Sequence, residues 1–244
     1  MEISLQKLHI GGFEGRGDII IEDRQTFDEK IICENMRISG EATFWELADI
    51  TKLAVEGKAV FFDLLTCDDL LCGGETINKG KIICENAFFS GKSECYGNIH
   101  ADNVAVSGSL NANGRIDTIS CRVSGSLSVS RKLSADNIYI TGSVISKSVV
   151  SAINLKIEAS GAPSSMVEIK ADAVAVNRPK GMGLGPALIC DTVDAPILIL
   201  NHATVDYAFC EKCRLGDGTH IRRLECHEPP IITGNAVVDE IIMF

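Results

Sequence analysis

The sequence of 244 residues is poor in aromatics, in basic charge and in long apolar runs. Phe, Trp and Tyr make up 5% of it, with a single Trp, so large rings cannot supply the bulk of a core. Lys and Arg number 23 against 33 Asp and Glu, a formal charge of −10 with no basic cluster against that average. Duplex DNA and RNA are thereby excluded as partners, because binding them rests on neutralising phosphates with Lys and Arg. Polybasic attraction to anionic lipid is equally unsupported. No stretch approaches the roughly 18 apolar residues of a membrane-spanning helix. Met1 to Gly15 holds no cationic segment followed by an apolar one, so the start reads as free of an export signal. The ten cysteines therefore read as reduced thiols of a cytoplasmic protein rather than as a disulfide framework.

What the chain does have is 22 glycines, and seven of them are regularly spaced. Gly40, Gly57, Gly74, Gly91, Gly108, Gly125 and Gly142 recur every 17 residues, and Ala159 takes the next place. Other columns keep the same step. Two residues earlier stand Ile38, Val55, Cys72, Phe89, Val106, Val123, Ile140 and Ile157. Four earlier the column begins Met36, Leu53, Leu70, and nine earlier it begins Ile31, Ala48, Leu65; both stay apolar to Leu155 and Val150. A core that repeats in this way belongs to a solenoid.

Within one repeat the apolar positions alternate with polar ones, the period of a strand. The pairs nine and seven before glycine and four and two before it make two short strands. The column that begins Ala42, Ala59, Thr76 starts a third. Glu34-Asn35, Glu85-Asn86, Asp102-Asn103 and Asp136-Asn137 mark one corner, where Asn suits a left-handed turn. Ser-Gly pairs such as 39–40 and 90–91 mark a second, and Gly80, Gly97 and Gly114 a third. The expected fold is all-β: a single-stranded, three-faced β-helix (β-solenoid) of 17-residue coils. Ordering one coil costs more than its six inward side chains return, so coils hold only as a stack.

The register slips after Ala159. The segment Ile169–Val176 repeats Ile99–Val106 with two extra residues in the spacing, and a loop from Asn177 to Pro186 follows. The expected divisions are an N-terminal segment (1–17), a regular β-helix (18–159), an irregular coil and loop insertion (160–187) and a C-terminal β-helix extension (188–244).

The recurring unit Ile-x-Ala-Asp-x-Val-x-Val-Ser-Gly-x-Leu resembles the repeats of bactofilins, polymer-forming cytoskeletal proteins of bacteria. The stretch from Leu188 through Arg214-Leu-Gly-Asp-Gly218 to Ile-Ile-Met-Phe244 is similar to the extension of longer Gram-positive forms. The resemblance implies a right-handed β-helix in the cytoplasm, close to the membrane. It implies no nucleotide or other cofactor, no catalysis and no small-molecule substrate. It further implies assembly with copies of itself, and a role as scaffold for membrane-associated or envelope proteins. Family members carry proline-rich flanking tails, whereas the prolines here stand between 163 and 230.

Candidate assembly residues follow from the pattern. Ile241, Ile242, Met243 and Phe244 either complete a coil or stack on a neighbour's end. Leu71 and Phe88 share an outward column, and so do Trp45 and Phe62 near a corner. Cys210-Glu-Lys-Cys213 with Cys226 and His227 has residue types that zinc uses. Against that, Cys33, Cys67, Cys84, Cys72 and Cys121 fall in inward columns, so cysteine here reads as a small core hydrophobe and no metal is expected. Gly181-Met-Gly-Leu-Gly185 lacks the following helix that a phosphate cradle needs and reads as a loop. His100, beside Asp102, reads as half of a solvated pair. Two alternatives remain open: a β-helical enzyme acting on carbohydrate or acyl groups, and a monomeric binding module with a C-terminal metal site.

Overall fold

The computed structural model describes residues 2–4, 9–10, 13–15, 17–159, 161–179 and 185–244. Among them every regular element is a β-strand, in about 13 coils of about 17 residues, a β-solenoid. Among the described residues the ladders between coils are parallel, as stacked coils require. The chain forms two compact units, Met1–Ile119 and Ser120–Phe244.

In the first unit an eight-residue strand alternates with one of four: Ile31–Ile38 then Glu41–Phe44, Ala48–Val55 then Lys58–Phe61, Leu65–Cys72 then Glu75–Asn78. The burial of Ile31–Ile38 explains the length. Ile31, Cys33, Met36 and Ile38 are buried, with two outward residues in succession at Glu34 and Asn35. The long strand is thus the two expected short strands, joined across a corner that does not interrupt the ladder. Ala42 and Phe44 complete the six inward positions. Successive coils pair in strict register: Ile31 with Ala48, Leu65 with Ile82, Ile82 with Ile99.

The corners correct the conformational argument. Among the described residues the only non-glycine with positive φ is His202, and the only such glycines are Gly218 and Gly234. Asn at the first corner is therefore not left-handed. Its amide instead reaches the neighbouring coil, as Asn35 donates to Asp18 at 2.6 Å and Asn86 to Asp69 at 2.9 Å. Asn103 continues the ladder onto Asn86. The glycine column is likewise a matter of space. A Cβ on Gly74 would stand closer than 3.0 Å to the carbonyl oxygens of Gly57 and Glu56. The tight approach pins the corner, where Gly73 and Gly74 both donate backbone N–H to Val55 O at 2.8 and 2.9 Å.

The second unit begins on the same step, Leu133 pairing with Val150. The next coil is longer: Ser146 pairs with Met166, a bulge between Ser146 and Val149 takes up one residue, and Val150 then pairs with Ile169, two beyond the original step. The strand Ser164–Asn177 is thus a full coil inside the segment read as irregular. The strand ends at Asn177, and Val176 pairs with Leu200. Arg178 just beyond it donates to Gly161 O and Pro186 O, each at 3.0 Å. Beyond it the coils shorten, Leu188 pairing with Ala203 and Cys210 with Cys226, until the pairings of Leu215 with Ile232 and Cys226 with Met243 restore the original step.

Candidate assembly surfaces

Trp45 and Phe62 stack on adjacent coils, ring centroids 4.0 Å apart and 13° from parallel. The column continues beyond the expected pair, since Lys79 Nζ lies 3.7 Å over the ring of Tyr96. Trp45, Phe62 and Tyr96 are all exposed. Trp45 and Phe62 each cover one face of the other's ring. Leu71 and Phe88 are register partners on neighbouring coils, both pointing outward and both exposed. Beside them, at Ala54, the same outward row forms a shallow cavity of about 390 Å³ between Arg37 and Leu71. Sequence reasoning missed this hollow, although the 17-residue step identifies Ala54 as the smallest side chain between Arg37 and Leu71.

At the other end of the chain, the strand Val237–Met243 lies on His220–Cys226. Ile241 continues the inward column of Leu224, and Met243 that of Cys226; Ile232 continues that of Leu215. Leu215, Leu224 and Cys226 are fully buried, but Ile232, Ile241 and Met243 are 44%, 43% and 46% exposed. Ile242 and Phe244 differ from this pair. Ile242 follows the outward Glu225, and Phe244 packs edge-on against the His227 ring, 4.3 Å between centroids.

All ten cysteines are buried and unbridged. Burial pushes the thiols of Cys33, Cys72, Cys121 and Cys190 up to about 12. Cys67 is also raised, chiefly by its hydrogen bond with Cys84 on the next coil and then by burial. Cys210 and Cys213 are hydrogen-bonded to each other, which holds the proton on Cys210 and lowers Cys213. Cys226 is the register partner of Cys210 on the next coil, and its other neighbour is a methionine. Cys226 Sγ lies 3.4 Å from Met243 Sδ, and exposed His227 holds Phe244 O at 3.1 Å with Nδ1. Among the described residues no three His, Cys, Asp or Glu gather in a way that could hold a metal ion.

His100 pairs with Asp117 of the next coil, Nδ1 to carboxylate 3.7 Å, rather than with Asp102 in its own strand. The reason is the pleat. Neighbours across the ladder stand closer than residues two apart along a strand. Both side chains are well exposed, so the pair adds little to stability. Of the glycine-rich loop, residues 181–184 lie outside the described residues. No helix among the described residues is long and apolar enough to cross a membrane.

Comparison with family models, with curated proteins and with solved structures found no match to the chain.

Proposed function

We propose that this protein is a non-catalytic, self-associating scaffold of the bactofilin kind. It works in the cytoplasm near the membrane, with copies of itself and envelope proteins as partners. The observation that carries the reading is the uncovered inward column of the last coil. Ile232, Ile241 and Met243 extend a core whose preceding members are fully buried, yet nearly half of each meets solvent. Among the described residues the strand Val237–Met243 is paired on one side only, which leaves a row of backbone N–H and C=O groups as a template for another strand. A second copy of this chain suits such an end, because a stacked coil of the same build buries the column and completes the ladder at once.

Electron microscopy and sedimentation of the full chain test the reading. Filaments or sheets are expected, and they should disperse in Ile241→Lys and in Met243→Lys. A chain that sediments as a monomer at high concentration, with no assemblies in the microscope, overturns it.

A further inference from the structure

We infer that one flank of the first unit is a self-complementary docking surface on which a second copy of this chain lies antiparallel. The surface is the outward face that follows the Glu-Asn corner. Two rows cross it, each built from residues paired coil to coil in strict register. The central row runs Ile20, Arg37, Ala54, Leu71, Phe88, Ala105. The lateral row, two residues earlier in each strand, runs Asp18, Asn35, Lys52, Asp69, Asn86, Asn103.

A two-fold axis along the strand direction, midway between the coils of Lys52 and Asp69, keeps each row opposite itself and reverses the order of coils. Large then meets small in the central row. Leu71 of one copy enters the hollow at Ala54 of the other, the shallow cavity of about 390 Å³, and Ile20 meets Ala105. Arg37, whose side chain is 60% exposed, meets the ring of Phe88, an arrangement that favours cation–π contact. The lateral row is complementary too. Lys52 meets Asp69 twice, Asn35 meets Asn86, and Asp18 meets Asn103, which leaves no like charges opposed in either row. The one like-charge meeting, Glu34 with Glu85, falls around the exposed corner, where water screens it.

Other arrangements fail on the same residues. An axis through the coil of Lys52 sets that ammonium on itself, and one through the coil of Asp69 does the same to the carboxylate. An axis one coil further on drives Leu71 against Phe88. Parallel copies are related by an axis along the stack; over the lateral row it sets Lys52 on Lys52 and Asp69 on Asp69, and over the central row it sets Arg37 on Arg37 and Leu71 on Leu71. The charges therefore fix both direction and register, as they do where interfaces exclude wrong partners.

The face covers six coils at about 4.8 Å, by roughly 13 Å of strand, some 400 Å² per copy. That is about half of a standard interface, so an isolated pair is weak and gains strength where copies are already linked. The inference uses nothing of the terminal coil, and either proposal can fail without the other.

The test uses the full chain carrying Ile241→Lys, which suppresses end stacking, followed by sedimentation at low salt across a concentration series. A reversible dimer is expected, weakened by added salt. Lys52→Asp and Asp69→Lys should each weaken it tenfold or more, since each opposes like charges at two places. Mixing these two variants should restore the dimer, because every contact between them is again Lys with Asp. The doubly exchanged chain, Lys52→Asp with Asp69→Lys, should dimerise on its own. A monomer at all concentrations, single variants that associate as the parent does, or a mixture no more associated than its components overturns the inference.

Discussion

The glycine column is the clearest case of a single atom deciding a structure. Gly74 has an ordinary backbone conformation, and what excludes a side chain is the carbonyl of the coil beneath. Gly74→Ala should therefore cost well over the roughly 1 kcal/mol typical of a substitution, because backbone on backbone cannot give way. Urea unfolding of the variant checks this, and a cost below 1 kcal/mol contradicts it. The buried thiols supply a second residue-scale effect. Cys72 and Cys121 are pushed by burial from 9.0 to about 12. The folded state keeps their protons where the unfolded chain releases them. Their contribution is complete below about pH 9 and is lost as pH rises toward 12, at about 1.4 kcal/mol per pH unit for each thiol. The urea midpoint should fall between pH 9 and 11, less steeply in Cys121→Ala; an equal slope in that variant counts against the assignment.

At the scale of an element, a coil is good or poor according to the rung it offers its neighbours. Phe27, Phe44 and Phe61 stack inside the first unit with centroids 4.9 and 4.6 Å apart. Phe44→Ala opens a void between two rings and should cost about 3–5 kcal/mol. The next rung after Phe61 is Asn78, fully buried, with neither its amide nitrogen nor its oxygen hydrogen-bonded. Asn78→Leu, close in volume, should raise stability by about 1–3 kcal/mol. Chemical denaturation of both variants measures the contrast, and a destabilised Asn78→Leu would show that the amide has a partner in solution.

The same contrast shows what was legible beforehand. Inward columns such as Ile31, Ala48 and Leu65 could be read because every coil repeats the demand for an apolar side chain. The partner of His100, the amide ladder from Asn35 and Asn86, and the hollow at Ala54 depend on the coil above or below. Chain neighbours do not reveal them, whereas the 17-residue step applied to outward rows does. The shortened coils after Leu188 stayed hidden for another reason. With pairings of Leu188 to Ala203 and Cys210 to Cys226, no constant step exists to be found. Among the candidate residues, Ile241 and Met243 were placed in a core column and Ile242 and Phe244 were not. A four-residue apolar run does not announce which of its members turn inward.

For the molecule as a whole, the repeat is a unit of exchange. Each coil contacts its neighbours through the same register, so removing one whole period leaves equivalent partners to rejoin. Deleting Glu75–Gly91 brings Gly74 to Lys92, the register partner of Glu75. The shortened chain should fold with a β-sheet circular dichroism spectrum and a cooperative urea transition. Deleting one residue fewer leaves one coil a residue too long, which a bulge or corner must take up as it does after Ser146, and should lower the urea midpoint. Equal behaviour of the two deletions would mean that the columns do not determine the register.

Arg178 gives the second unit a port. Val176 and Leu200 lie side by side, and the guanidinium joins Gly161 to Pro186, so the chain between Pro179 and Gly185 should accept added length. Evolution can enlarge that segment, and an experimenter can thread a fluorescent reporter or an affinity tag into it, without disturbing any rung of the ladder.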